Sequence, residues 1–254
     1  MKPRRPVIGI IGYGRFGKLA AQLCARVATV FVYDPLLPAG GTKRSRIRMR
    51  GLRDVASQKV VVLAVPVSAL TAVLTRIRPY VRPGSLVVDV CAVKVLPVRW
   101  MKQLLPESVS IIGTHPLFGP DTVQGSAAGH RIVLVPARVS QNVFRTVVRE
   151  LRRHGLEVAI MDPGKHDKMI AHTLLVTQFV GRMVGKARLP VWDGSTRTYE
   201  ILRGLVSIAE RDTEQLLVDM WRFNPYAGQV TRALLRSHLT LLKRIGRAVN
   251  DSPR

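Results

Sequence analysis

Three glycines spaced as Gly12-x-Gly14-x-x-Gly17, set between a short apolar run and a helix-like pattern, leave this chain few folds to adopt. Val7–Ile11 reads as a buried strand, and Phe16–Val27 carries a helical period. In that setting the first glycine permits a tight turn, the second lets a phosphate approach the backbone, and the third lets helix and strand pack closely. The helix amino terminus then offers free N–H groups to an anion. Asp34 closes the next apolar run 22 residues beyond Gly12 (34 − 12), the spacing at which a carboxylate accepts hydrogen bonds from a ribose. Gly12, Gly14, Arg15, Phe16, Gly17 and Asp34 are therefore expected to hold a dinucleotide. Asp34 favours NAD, while Lys43, Arg44 and Arg46 keep NADP open through its 2′-phosphate.

The alternation continues through the first two thirds of the chain. Val7–Ile11, Thr29–Tyr33, Val60–Val65, Leu86–Val90, Val109–Gly113, Ile132–Val135 and Leu156–Met161 read as strands. The short continuous apolar runs among them suit a parallel sheet covered on both faces. Phe16–Val27, Ser68–Ile77, Leu96–Leu105 and Val143–Arg153 read as the helices between and after them, with Ser68 as an N-cap. From Gly164 onward the strand signal stops, and Lys165–Lys186, Thr196–Trp221 and Pro225–Val249 read as long helices, the last one started by Asn224-Pro225. The expected architecture is α/β: an N-terminal Rossmann-type doubly wound sheet over residues 1–162, followed by an all-helical C-terminal domain over 163–254. Helical appendages of this kind often pair with a twin, so a homodimer is expected.

Charge sets this chain apart. Lysine and arginine number 40 against 16 acidic residues, a formal +24 with pI about 11.4. Such a field attracts phosphates and carboxylates and holds nucleic acid loosely at low salt. The basic residues are spread along the chain, denser only from Lys43 to Arg53, with no interleaved aromatics to stack bases. A generally basic surface is the preferred reading over a nucleic-acid partner. No stretch approaches the ~20 apolar residues of a membrane helix. The basic start MKPRRP is followed by an apolar run broken by glycines, which reads as a first strand and not a signal peptide. Two distant cysteines, Cys24 and Cys91, fit a reducing cytoplasm.

Two strand ends carry the remaining chemistry. Asp89-Val-Cys-Ala-Val-Lys94 closes the fourth apolar strand and Gly113-Thr-His115-Pro-Leu-Phe-Gly-Pro120 the fifth, at the edge where open α/β sheets bind ligands. The first resembles the D-x-x-S-V-K element, and the second the H-P-M-F-G-P element, of prephenate and arogenate dehydrogenases. Ala64-Val-Pro66, His166-Asp-Lys168 and Gly181-Arg182 extend the resemblance, which covers roughly residues 6–240. It implies a small-molecule substrate, prephenate or arogenate: a cyclohexadienol with a ring carboxylate that is oxidised at the carbinol carbon, loses carbon dioxide and becomes aromatic. It implies His115 as the group that takes the hydroxyl proton, a role suited to imidazole. Lys94 would steady the hydroxyl or a carboxylate; a solvated lysine at a helix start is the plainer alternative. Val65 and Pro66 would line the cofactor.

The chain also departs from the pattern. Ala92 stands where the motif has serine, removing a donor near the reacting hydroxyl. Gln178 stands where plant-type members place a histidine after the H-D-K element, and is taken as substrate-binding. The carboxylate-binding arginine has two candidates, Arg197 and Arg203, with Arg197 preferred. Asp121 lines the pocket or caps a turn. His172 sits on the first helix of the second domain and could face the cleft, whereas His130, His154 and His238 show no ligand spacing, so no metal site is expected. Two other readings compete: a diverged dehydrogenase of the β-hydroxyacid or imine reductase type, with Lys168 as its lysine, and a non-catalytic nucleotide-binding protein.

Overall fold

The computed structural model describes residues 5–38, 45–123, 125–190, 192 and 194–250. The chain divides into two compact units, Met1–His166 and Asp167–Arg254, with the division falling inside a helix.

The first unit is built on an eight-stranded sheet, in the order β3-β2-β1-β4-β5-β6-β7-β8. Its strands are β1 (Val7–Ile11), β2 (Thr29–Tyr33), β3 (Ile47–Met49), β4 (Val60–Leu63), β5 (Leu86–Asp89), β6 (Ser110–Pro116), β7 (Arg131–Arg138) and β8 (Glu157–Ile160). Helices α1 (Arg15–Cys24), α2 (Leu52–Ala56), α3 (Val67–Ile77), α4 (Val95–Leu104) and α5 (Gln141–Arg153) connect them. The chain winds outward from β1 to β3, then returns to lay β4 on the other side of β1. That reversal opens a crevice at the carboxyl ends of β1 and β4, the switch point where such sheets take ligands.

Apolar pattern explains the packing. Val67, Leu70, Leu74 and Ile77 recur at helical spacing along α3 and are all buried. Each such side chain contributes about 1.5–3 kcal/mol on burial. On α5, Phe144, Val147, Val148 and Leu151 pack on a core that includes Ile132 and Leu134 of β7, leaving the arginines outside. The Ser140 hydroxyl caps α5 by accepting from the Val143 amide.

The sheet is not wholly parallel. β7 runs antiparallel to β6, and β8 runs parallel to β7. The physical reason lies in the connection: the described residues of 117–130 contain no crossover helix, and without one the chain turns back beside β6. The dense basic stretch also hides two elements, β3 and α2. Ile47 and Met49 face the core cluster beside β2, while Arg48 bonds the Ser45 carbonyl and Arg50 lies over the Phe31 ring. Arginine stems cover apolar edge surface while their heads stay polar, so charge masked a strand. Ser68 lies in the first turn of α3, and Pro66 takes the N-cap position.

The second unit is helical, and its expected long helices are broken. Lys165–Lys186 forms α6 (Pro163–His172) and α7 (Leu174–Lys186), interrupted at Thr173. Thr196–Trp221 forms α8 (Arg197–Arg211) and α9 (Glu214–Phe223), broken at Asp212-Thr213, where the Thr213 hydroxyl caps α9. Asn224 ends α9 and its side-chain oxygen accepts from the Tyr226 amide, so it shapes the turn and α10 (Ala227–Asn250) begins three residues later. On α10 Ala227 and Val230 are buried, while Leu235, Leu239, Leu242 and Ile245 are exposed at helical spacing. Among the described residues no helix is long and apolar enough to cross a membrane.

The glycine loop joins β1 to α1. Gly12 has φ +97°, and a Cβ there would meet the Ala64 carbonyl; one on Gly17 would run into the carbonyl oxygen of Gly12. Gly14 faces open space instead. Gly17→Ala is therefore expected to lose about 1–3 kcal/mol in denaturant unfolding. Gly14→Ala should stay within about 1 kcal/mol of the parent while losing affinity for a dinucleotide. Equal stability losses at the two positions would contradict this division of roles.

Candidate active site

The carboxyl edge of the first unit's sheet gathers most of the residues expected from sequence. Gly14 is the N-cap of α1, with no side-chain cap and no acid in the first turn. First-turn amides of a helix point past its amino terminus, so their partial positive charge meets the open space beside Gly14. The charge of that helix end suits an anion. Asp34 borders that end: Oδ2 accepts from the Tyr13 amide at 2.8 Å and Oδ1 from the Leu36 amide at 3.0 Å. A carboxylate oxygen has two lone pairs, so this fastening leaves capacity for ribose hydroxyls. Val65 and Pro66 follow β4 on the other side of the crevice.

The basic residues considered for a 2′-phosphate divide differently. Lys43 and Arg44 lie outside the described residues. Arg46 precedes β3 and bonds the carbonyl of Ala25, the C-cap of α1, while its own carbonyl accepts from Val30 at the start of β2. Asp34 lies past the other end of β2, about 13 Å further along at ~3.3 Å per residue. Arg46 therefore belongs to the opposite edge of the sheet from Asp34.

Arg15 and Phe16 connect the glycine loop to the segment after β6. Arg15 pairs with Asp121 at 2.6 Å, both partly exposed, an interaction worth at most about 1 kcal/mol. The Phe16 ring lies tilted against Phe118 with centroids 6.4 Å apart, and Phe118 in turn sits 5.3 Å from the His130 ring. Asp121 thus holds an arginine of the phosphate loop.

Next to them is a buried polar cluster. Lys94 is fully buried and bonds the Asp89 carboxylate and, at 2.7 Å, the Thr114 carbonyl. The solvated-lysine alternative is thereby excluded: a buried ammonium needs partners, and these two supply them. Asp89 also accepts from the Cys91 and Thr114 amides, and its backbone oxygen from the Thr114 hydroxyl. The hub binds the ends of β5 and β6 to the start of α4. Removing one charge from such a pair costs about 3–5 kcal/mol.

His115 follows Thr114 on β6 and is 6% exposed. Its Nδ1 lies 2.9 Å from Nε2 of His166, a residue at the fourth position of α6 that is fully buried. Burial, then the neighbouring His166 and Lys94, hold the His115 pKa well below its ordinary 6.5. Its Nε2 makes no hydrogen bond with the described residues. A neutral imidazole with one fastened nitrogen and one open nitrogen can accept a proton at neutral pH. His166 was not legible as a partner, because 51 residues separate the two histidines and no motif spacing links them.

The residues expected to meet substrate in the second unit fall in different places. Gln178 on α7 is buried, with Nε2 donating to Asp212 at 2.6 Å and Oε1 unpartnered. Arg197 opens α8, exposed and paired with Glu200, while Asp212 closes that helix. Fifteen residues at ~1.5 Å each separate Arg197 from Asp212 by about 22 Å, too far for Arg197 and Gln178 to share one small ring. Arg203 is exposed. The guanidinium beside Gln178 is that of Arg182, which bonds the carbonyls of Asp212 and Thr213. His172 is exposed and bonds its own helix at the Lys168 carbonyl; Lys168 is exposed as well. No cluster of three metal-ligating side chains occurs among the described residues.

The chain is similar to known dehydrogenases. The model of the prephenate dehydrogenase nucleotide-binding domain matches residues 45–160. A probable arogenate/prephenate dehydrogenase of Methanocaldococcus jannaschii is 27% identical over 175 residues, 65% of this chain and 39% of that protein. Arogenate dehydrogenase 1, chloroplastic, of Arabidopsis thaliana is 27% identical over 230 residues, 85% of this chain and 36% of that protein. The chain thus spans well under half the length of these two relatives. The crystal structure of prephenate dehydrogenase from A. aeolicus in complex with hydroxyphenyl propionate and NAD+ superposes with a TM-score of 0.74. The match covers 99% of this chain and 94% of that one at 17% identity, a likeness of fold.

Burial of neutral His115 has a measurable consequence. The unfolded chain protonates this side chain below pH 6.5 and the folded chain resists, so the unfolded state binds more protons and stability falls as pH drops through that window. Unfolding free energy is expected to be about 1 kcal/mol lower at about pH 5.5 than at about pH 7.5. Denaturant titrations of the parent and His115→Gln check this; an equal loss in the variant would assign the effect elsewhere.

Proposed function

From the match of residues 45–160 to the prephenate dehydrogenase nucleotide-binding domain, we propose that this chain belongs to that family and oxidises and decarboxylates prephenate or arogenate with NAD. The observation that carries the reading is a neutral His115, with Nδ1 held by His166 and Nε2 unbonded among the described residues, on the same sheet edge as an uncapped glycine loop. Gly14, the first turn of α1 and Asp34 hold the dinucleotide, with Val65 and Pro66 on the far wall of the crevice. Bound NAD supplies the hydride acceptor. The Asp34 carboxylate repels a 2′-phosphate, and Arg46 sits at the wrong edge to offset it, which favours NAD over NADP.

His115 takes the proton of the ring hydroxyl at Nε2. Lys94 acts from behind as a fixed positive charge: it opposes protonation of His115 before substrate arrives and keeps Thr114 and β6 in place. Loss of carbon dioxide and aromatisation then make the step irreversible. Ala92 offers no hydroxyl to the reacting centre, so His115 carries the proton transfer without that donor. The exposed leucine stripe of α10 supports a homodimer assembled through the helical unit.

The purified protein is expected to form reduced cofactor with prephenate or arogenate and to prefer NAD. His115→Asn should lower kcat by about a hundredfold or more with the fold intact by circular dichroism. The same preparation is expected to sediment as two chains. Binding of NAD without turnover of either acid would overturn the substrate, and an active His115→Asn variant would overturn the base.

A further inference from the structure

We propose that His166 is a positioning residue for His115: its Nε2 accepts a hydrogen bond from His115 Nδ1–H and so fixes the tautomer whose bare nitrogen is Nε2. The inference rests on the reading of His115 as a base and deepens it. The two rings meet edge to face, with centroids 5.1 Å apart and planes at 72°, and the nitrogens lie 2.9 Å apart. His166 is itself fixed, since its amide donates to the Asp162 carbonyl at 2.9 Å and the Asp162 side chain receives the Gly164 and Lys165 amides at the start of α6.

A hydrogen bond between two neutral imidazoles needs one N–H and one lone pair, which allows two assignments. If His166 donated, His115 would carry its proton on Nε2 and present a donor to the substrate hydroxyl, with no base at the open nitrogen. If His115 donates, its Nε2 keeps a free lone pair and can take the proton. A doubly protonated pair would set two N–H groups against each other beside the Lys94 ammonium, so the charged form is disfavoured.

The identity of the partner has a consequence. A carboxylate at position 166 would orient the ring and also stabilise its imidazolium form. An imidazole there orients the ring without that added negative charge. With alanine at 92, the hydroxyl of the related motif is not there to help, and the fixing of the ring falls to α6.

Long-range proton–nitrogen correlation spectra of the substrate-free protein, labelled with nitrogen-15 histidine at neutral pH, read the tautomer directly. His115 is expected to be protonated at Nδ1 and bare at Nε2. In His166→Met, both tautomers should appear and kcat should fall about ten- to a hundredfold, with KM changed less than about threefold. His166→Gln, which offers an amide oxygen as acceptor, should recover most of the loss. Wild-type His115 protonated at Nε2 would overturn the proposal, even if His166→Met failed to fold. So would a folded His166→Met with unchanged tautomer and kcat. The expected tautomer in a protein that turns over neither acid would support the hydrogen bond and overturn the reaction assigned to His115.

Discussion

Lys94 and Asp89 form an ion pair with no exposed side-chain surface, and the carboxyl edge of the sheet is arranged around it. Asp89 gathers amides from its own strand end and from β6, while Lys94 reaches from the N-cap of α4 to the Thr114 carbonyl. Charges buried this way stay ionised only when geometry supplies every partner. The pair therefore fixes the relative height of β5 and β6, and with it the ring of His115, one residue past Thr114. It also sets the electrostatics, because a positive charge that cannot move away opposes a second one on the neighbouring imidazole. One interaction thus anchors the strand ends and lowers the His115 pKa.

The glycine loop works through packing instead of charge. Gly12 and Gly17 are required because backbone atoms occupy the space a side chain would need, whereas Gly14 borders empty space that a ligand can use. Asp34 ties the loop to β2 by accepting from the Tyr13 amide, so its carboxylate shapes the glycine loop. The ion pair of Arg15 with Asp121 and the rings of Phe16, Phe118 and His130 fasten the segment after β6 over the start of α1.

Legibility in the sequence followed the kind of force involved. Continuous apolar strands and glycine spacing are local, and β1 and β2 lie where their patterns indicate. The basic stretch around Arg48 concealed β3 because its apolar positions are only two and its arginines cover the edge. The antiparallel turn into β7 was hidden because direction depends on the connection, and 117–130 carries no helix pattern to judge by. The breaks at Thr173 and Asp212 interrupt segments whose apolar period runs on across them. In the site, His115 stood out by its motif, but His166 needed the fold to bring α6 to β6. Lys94 was ambiguous because burial is not written in its neighbours. Arg197 was preferred over Arg203 on sequence, and the length of α8 places it far from Gln178.

The central claim is that His115 serves as a base kept neutral by burial beside Lys94. The most direct test is kcat/KM against pH, since its acid limb reports the essential base of the free enzyme. The account predicts a limb well below 6.5, with kcat/KM level from about pH 8 down through that value. A limb at or above 6.5, as for an imidazole in water, would contradict it.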